Sequence, residues 1–137
     1  VSGIFGALGI SASGMSAERL RLDVIAENLA NADSTRGADG RPYQRKQVVL
    51  QQAGGTSFGE VLKGVQVAGI QADPTPGRRV HDPGHPDADA NGYVTLPNVD
   101  SVTEMVDMIT ASRGYEANVQ AMNTAKAMFL KTLEVLR

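Results

Sequence analysis

Asp87, Asp89 and Asn91 place side-chain oxygens at alternate positions and Gly92 follows them. This is the opening half of a calcium loop of the EF-hand type, which needs oxygen ligands in that spacing and a glycine for its sharp turn. The second half fails: Asn98 stands where the bidentate Glu belongs, and Pro83 and Pro86 occupy the place of the entering helix. The stretch therefore reads as a polar hairpin turn. His81 and His85 are four apart, a spacing that joins a metal only on one helical face, and Pro83 between them removes that helix. No Ser-His-Asp order or paired-carboxylate cleft stands out, and Gly54-Gly55 lacks the following Lys of a phosphate loop. The chain is expected to be no enzyme, to take no small-molecule substrate, and to carry neither metal nor cofactor.

Composition narrows the classes further. The net charge is -2 over 137 residues, with Lys and Arg scattered. Three Phe, three Tyr and no Trp leave little surface for stacking bases, so nucleic acid is not an expected partner. The absence of cysteine excludes disulfides and thiolate metal sites. Residues 1–13 contain no Lys or Arg and are interrupted by Gly3, Gly6 and Gly9, unlike the basic start and apolar core of a signal peptide. No run approaches the ~18 apolar residues of a membrane span. Abundant Ala, Gly, Val and Met suit helix-on-helix packing within an assembly.

The elements that would position these residues begin with a long C-terminal helix, Ser101 to Arg137. Ser101 and Glu104 have the form of a capping box. Val102, Val106 and Ile109 fall at helical spacing; Tyr115, Met122, Phe129 and Leu136 then recur every seven residues, with Val119 and Leu133 beside them. Such a helix is ~54 Å long. Burying about eight apolar side chains supplies roughly 12–24 kcal/mol, while ordering the backbone costs ~1–2 kcal/mol per residue. The stripe therefore needs cover from elsewhere in the chain or from neighbouring molecules. Asn118, at its edge, either faces water or, if buried, fixes register between packed helices. Gly114 predicts a bend or a close contact.

A second helical pattern runs from Ile4 to Asn31, with Leu8, Met15, Leu22 and Leu29 seven apart and Ile4 and Ile25 adjacent. Glycines 3, 6, 9 and 14 each cost a helix ~1 kcal/mol, so the first fourteen residues are expected to order poorly in an isolated chain. Asn31, Asp33 and Ser34 end the helix. Between the helices the pattern predicts a strand from Tyr43 to Gln52, a turn at Gly54-Gly55 and a second strand through Val65, Val67 and Ile70. A proline-rich arm follows, with a short strand at Val80-His81 and another after the Asn91-Gly92 turn, through Tyr93, Val94 and Leu96. The expected fold is α+β: long N- and C-terminal helices packed as an antiparallel hairpin, with a small β-rich insert between them. Residues 1–37 and 101–137 would form one discontinuous helical core, and 38–100 the insert and extended arm.

Asn28-Leu29-Ala30-Asn31, followed by Ser34-Thr35, a β insert and a long final helix, resembles the axial rod and hook proteins of the bacterial flagellum. The series His85-Pro86-Asp87-Ala88-Asp89, Gly92-Tyr93-Val94, Pro97-Asn98-Val99, Glu104-Met105-Val106 and Tyr115-Glu116-Ala117-Asn118-Val119 is more discriminating and is similar to the proximal-rod members. The resemblance implies a structural subunit whose terminal helices, with those of its neighbours, wall a hollow tube around an export channel and transmit torque. Asn28, Leu29, Asn31, Tyr115, Asn118, Val119, Met122, Phe129 and Leu133 would then serve assembly, and His85, Pro86, Asp87, Asp89, Gly92, Tyr93, Pro97 and Asn98 would mark the proximal rod. The implied partners are copies of itself, other rod proteins, and the inner-membrane ring and export apparatus at the rod base. The implied location is the basal body outside the cytoplasmic membrane, reached by type III export without a cleaved leader. The competing reading is a soluble helical adaptor or secretion chaperone that binds a partner helix along Val102 to Leu136.

Overall fold

The computed structural model describes residues 2–54 and 63–135. Helix α1 spans Ser2–Ala30, strands β1 to β4 span Lys46–Gln52, Val65–Ala72, Arg79–His81 and Tyr93–Thr95, and helix α2 spans Ser101–Val135. Two long helices thus enclose a small antiparallel β insert, the expected α+β arrangement. Val1, Gly55 and Leu136 lie outside the described residues, as does the side chain of Ile4.

The helices run antiparallel. Asn28 meets Glu104 at one end, and the rings of Phe5 and Phe129 lie 6.0 Å apart at the other. Between these ends, two glycines allow close approach. A Cβ on Gly14 would stand 2.8 Å from the Asn118 amide oxygen, and one on Gly114 would stand 3.1 Å from the Glu18 carboxylate. The contact expected at Gly114 is therefore present, and α2 continues through it unbroken. With such small residues at the crossing, backbone proximity replaces bulky side chains as the source of packing.

Three sequence expectations need correction. Helix α1 runs from Ser2 through Gly3, Gly6, Gly9 and Gly14. Propagation adds a hydrogen bond for each residue fixed, so a helix nucleated further on can extend through glycine. Its buried positions are Ser11, Ala17, Val24, Ile25 and Asn28, whereas Leu8, Met15, Leu22 and Leu29 are half-buried. On α2 the buried residues are Glu104 and Ala111, and Val102, Val106 and Ile109 face outward. Finally, Ser101 and Glu104 form no capping box: the Asp100 carboxylate caps the helix by accepting hydrogen bonds from the Thr103 backbone N–H and hydroxyl. Those bonds from Thr103 hold the Asp100 carboxyl below the usual carboxylate range, and Glu104 turns inward.

Among the described residues the insert forms two separate two-stranded sheets. In the first, Lys46 pairs with Ala72 and Gln52 with Val65, with a bulge between Val49 and Leu50. In the second, Val80 pairs with Val94, which is buried. The first strand begins at Lys46 rather than Tyr43 because residues 43–45 are drawn across the helix ends. Leu96 falls just past β4, yet its N–H still donates to the Arg78 carbonyl.

Candidate functional site

The richest polar cluster sits at the neck, where α1 ends, β1 begins and α2 starts. Asn28 reaches it because it falls on the buried face of α1, one turn beyond Val24. Its amide nitrogen donates to the Lys46 carbonyl at 2.9 Å and to Glu104 Oε2 at 3.0 Å. Its amide oxygen accepts from the Lys46 N–H and from the Tyr43 hydroxyl, both at 2.9 Å. Both donors and both lone pairs of the side chain are used, so an amide 1% exposed is fully satisfied. Asn31, three residues on, caps the helix end: its Nδ2 donates to the Glu27 carbonyl, and its Oδ1 accepts from the Ser34 hydroxyl. Leu29, the motif's apolar member, is half-buried beside them.

Arg45 occupies the centre of the neck. Its Nε donates to Glu104 Oε1, one Nη donates to Asp107 at 3.1 Å, and the other lies 3.9 Å from Asp73. Glu104 is fully buried and holds the guanidinium on one side and Asn28 on the other. Asn98 fixes the Arg45 backbone, accepting from its N–H at 2.7 Å while donating to the Asp73 and Thr75 carbonyls. The Asp73 carboxyl is held below the usual range by hydrogen bonds from Thr75, with a smaller contribution from Arg45.

The loop joining β3 to β4 carries the other signature residues. Asp89 Oδ1 accepts from the backbone N–H groups of Asn91 and Tyr93, and Oδ2 accepts from Arg79 at 2.6 Å. These bonds, led by that from Tyr93, hold its carboxyl below the usual range. Asp87 accepts from the Thr35 hydroxyl at 2.8 Å and pairs with Arg36, tying the loop to the segment after α1. His85 Nδ1 accepts from the Asp87 N–H, and His81 meets the Tyr93 ring edge-on. Gly92 takes a φ of 76° to close the loop. Pro97 is buried, and Pro86 is exposed ahead of Asp87. The aspartates that suggested a cation loop thus hold protein donors, and no group of three His, Asp or Glu is placed to bind a metal among the described residues.

The remaining predicted residues lie along α2. Asn118, Val119, Met122 and Phe129 are half-buried, while Tyr115 and Leu133 are exposed. Asn118 rests on Gly14, but its amide donates within its own helix, to the Gly114 carbonyl. Sequence reasoning missed Tyr43, Arg45, Asp73 and Asp107 at the neck. Their partners are distant in sequence, and no local pattern marks them. An open groove of about 790 Å³ runs beside the neck past Glu27, Tyr43, Lys46 and Asn98. Glu27 within it is paired to Lys46. No helix among the described residues is long and apolar enough to cross a membrane.

Two family models match the chain: "Flagella basal body rod protein" over residues 8–38 and "Flagellar basal body rod FlgEFG protein C-terminal" over residues 90–135. Among relatives named flagellar basal-body rod protein FlgC, that of Yersinia enterocolitica is 54% identical, covering 90% of this chain and 91% of its own length. That of Bacillus subtilis is 44% identical, covering 96% and 97%. That of Borreliella burgdorferi is 39% identical, covering 98% and 99%. The matched regions include the neck residues on both helices.

Two outcomes follow from the neck. Asn28→Ala should lower unfolding stability in urea by about 3 kcal/mol, because each buried group left unpaired costs ~1–3 kcal/mol; a change within experimental error would refute the hub. Burial, aided by the Glu27 and Glu104 carboxylates, pushes the Tyr43 hydroxyl up to about 12 from its ordinary 10.0. Its contribution to stability is therefore complete below pH 10.0 and lost as pH rises toward about 12, because the unfolded chain ionises first. Tyrosinate absorbance should show one late-titrating hydroxyl that Tyr43→Phe removes.

Proposed function

This chain belongs to the FlgC family of flagellar basal-body rod proteins, and we propose that it enters the rod through the outer face of α2. It is a structural subunit of the basal body that assembles with other rod components, in a family of structural proteins. The observation that carries the assembly reading is an uncovered apolar stripe. Val102, Met105, Val106 and Ile109 follow one another at helical spacing and are 56–69% exposed. They lie away from Glu104 and Ala111, which face the interior. An apolar surface of this kind marks a partner-binding site. Met128, Leu130, Leu133 and Val135 extend the apolar surface near the far end of α2. Nothing in the relatives favours the adaptor reading.

In this reading the subunit sits in the proximal rod, supported by the His85 to Asn98 series. Residues 1–37 and 101–137 act as the assembling core, and 38–100 as the part the neck orients. The core helices wall a hollow tube around the export channel and transmit torque. Contacts with copies of itself and with other rod proteins are heterologous, joining different faces of successive subunits. The rod base meets the inner-membrane ring and export apparatus, and the chain arrives by type III export, unfolded, to act outside the cytoplasmic membrane. Asn28, Leu29 and Asn31 hold the neck; Tyr115, Asn118, Val119, Met122, Phe129 and Leu133 line the hairpin seam and its margin.

Val106→Asp and Ile109→Asp test the outer face. Surface changes of this kind shift stability by no more than ~0.5 kcal/mol, so circular dichroism and thermal midpoint should match the parent. The variants should nonetheless be missing from purified basal bodies. Normal incorporation of both would contradict the proposed face.

A further inference from the structure

We propose that Arg45 makes closure of the helical hairpin at its neck conditional on a folded insert. The start of α2 carries two carboxylates into the neck, Glu104 fully buried and Asp107 half-buried. Helix α1 offers them Asn28, while its Arg21 pairs with Glu18. The cation that both carboxylates pair with is Arg45, which belongs to neither helix.

The insert places Arg45 through both of its backbone groups. The Asp73 N–H donates to the Arg45 carbonyl at 2.7 Å, and the Arg45 N–H donates to Asn98 Oδ1. Asn98 in turn holds the Asp73 and Thr75 carbonyls. Lys46, the next residue, begins the β1–β2 pairing and supplies the backbone N–H and carbonyl that complete Asn28. With the insert unfolded, pairing the helix ends would bury Glu104 without its cation, and removing one partner of a buried pair is strongly disfavoured. The neck therefore closes when the insert has delivered Arg45, and a chain with an open insert keeps the two helix ends apart. This dependence is internal to the chain and stands apart from the assembly reading.

Amide hydrogen exchange on the full chain tests it. Arg45→Met removes the charge and keeps an unbranched apolar stem. Residues 24–30 and 101–111 should lose protection on the order of a hundredfold, while the β3–β4 amides keep theirs. The double variant Arg45→Met, Glu104→Gln leaves no unpaired carboxylate at Glu104 and keeps an acceptor for Asn28, so at least tenfold of that protection should return. Unchanged protection in Arg45→Met, equal loss in β3–β4, or no recovery in the double variant would each overturn the proposal.

Discussion

The buried junction of Asn28, Glu104 and Arg45 is the constraint on which the rest of this molecule depends. Three residues far apart in the chain meet where the first helix ends, the insert begins and the last helix starts. A buried carboxylate and a buried amide are tolerated because every bonding position of Asn28 is used and Glu104 has a cation. A half-matched version would be worse than an apolar core. Polar matching of this sort is directional, so it sets the angle at which the insert leaves the hairpin, which packing of alanine and glycine alone would leave loose.

The character of the helices follows from what they meet. Over its first half the inner face of α2 presents Glu104, Ala111, Gly114 and Asn118, small or polar residues that let the backbones approach, and only further along does Phe129 meet Phe5. Its outer face presents Val102, Met105, Val106 and Ile109. A self-contained domain would place the larger apolar residues inside. The reversed distribution is in keeping with a rod-family subunit that assembles with other rod components.

Much of the architecture was legible. The long unbroken periodicities located both helices, the break at Asn31 located the end of the first, and Asn91-Gly92 located the turn before β4. The orientation of α2 was not legible, because apolar residues recur on more than one of its faces and spacing alone cannot say which one α1 covers. Ser101 and Glu104 matched a capping box because that pattern is local. Asp100 took the cap, and Arg45, 59 positions from Glu104 in sequence, took the carboxylate. The signature from His85 to Asn98 was found by resemblance; the geometry shows what those residues hold, with Asp87 tied to Thr35 and Arg36, and Asn98 to Arg45. Neither link has a mark in local sequence.

One chain carries both a closed polar neck and an open apolar face. A reconstruction of the intact basal body at side-chain resolution tests both halves together. Asn28, Arg45 and Glu104 should keep the bonds they make in the isolated chain, while Val102, Met105, Val106 and Ile109 should lie in van der Waals contact with another rod subunit. Those four side chains facing open solvent in the finished rod, or a neck whose bonds are broken there, would contradict it.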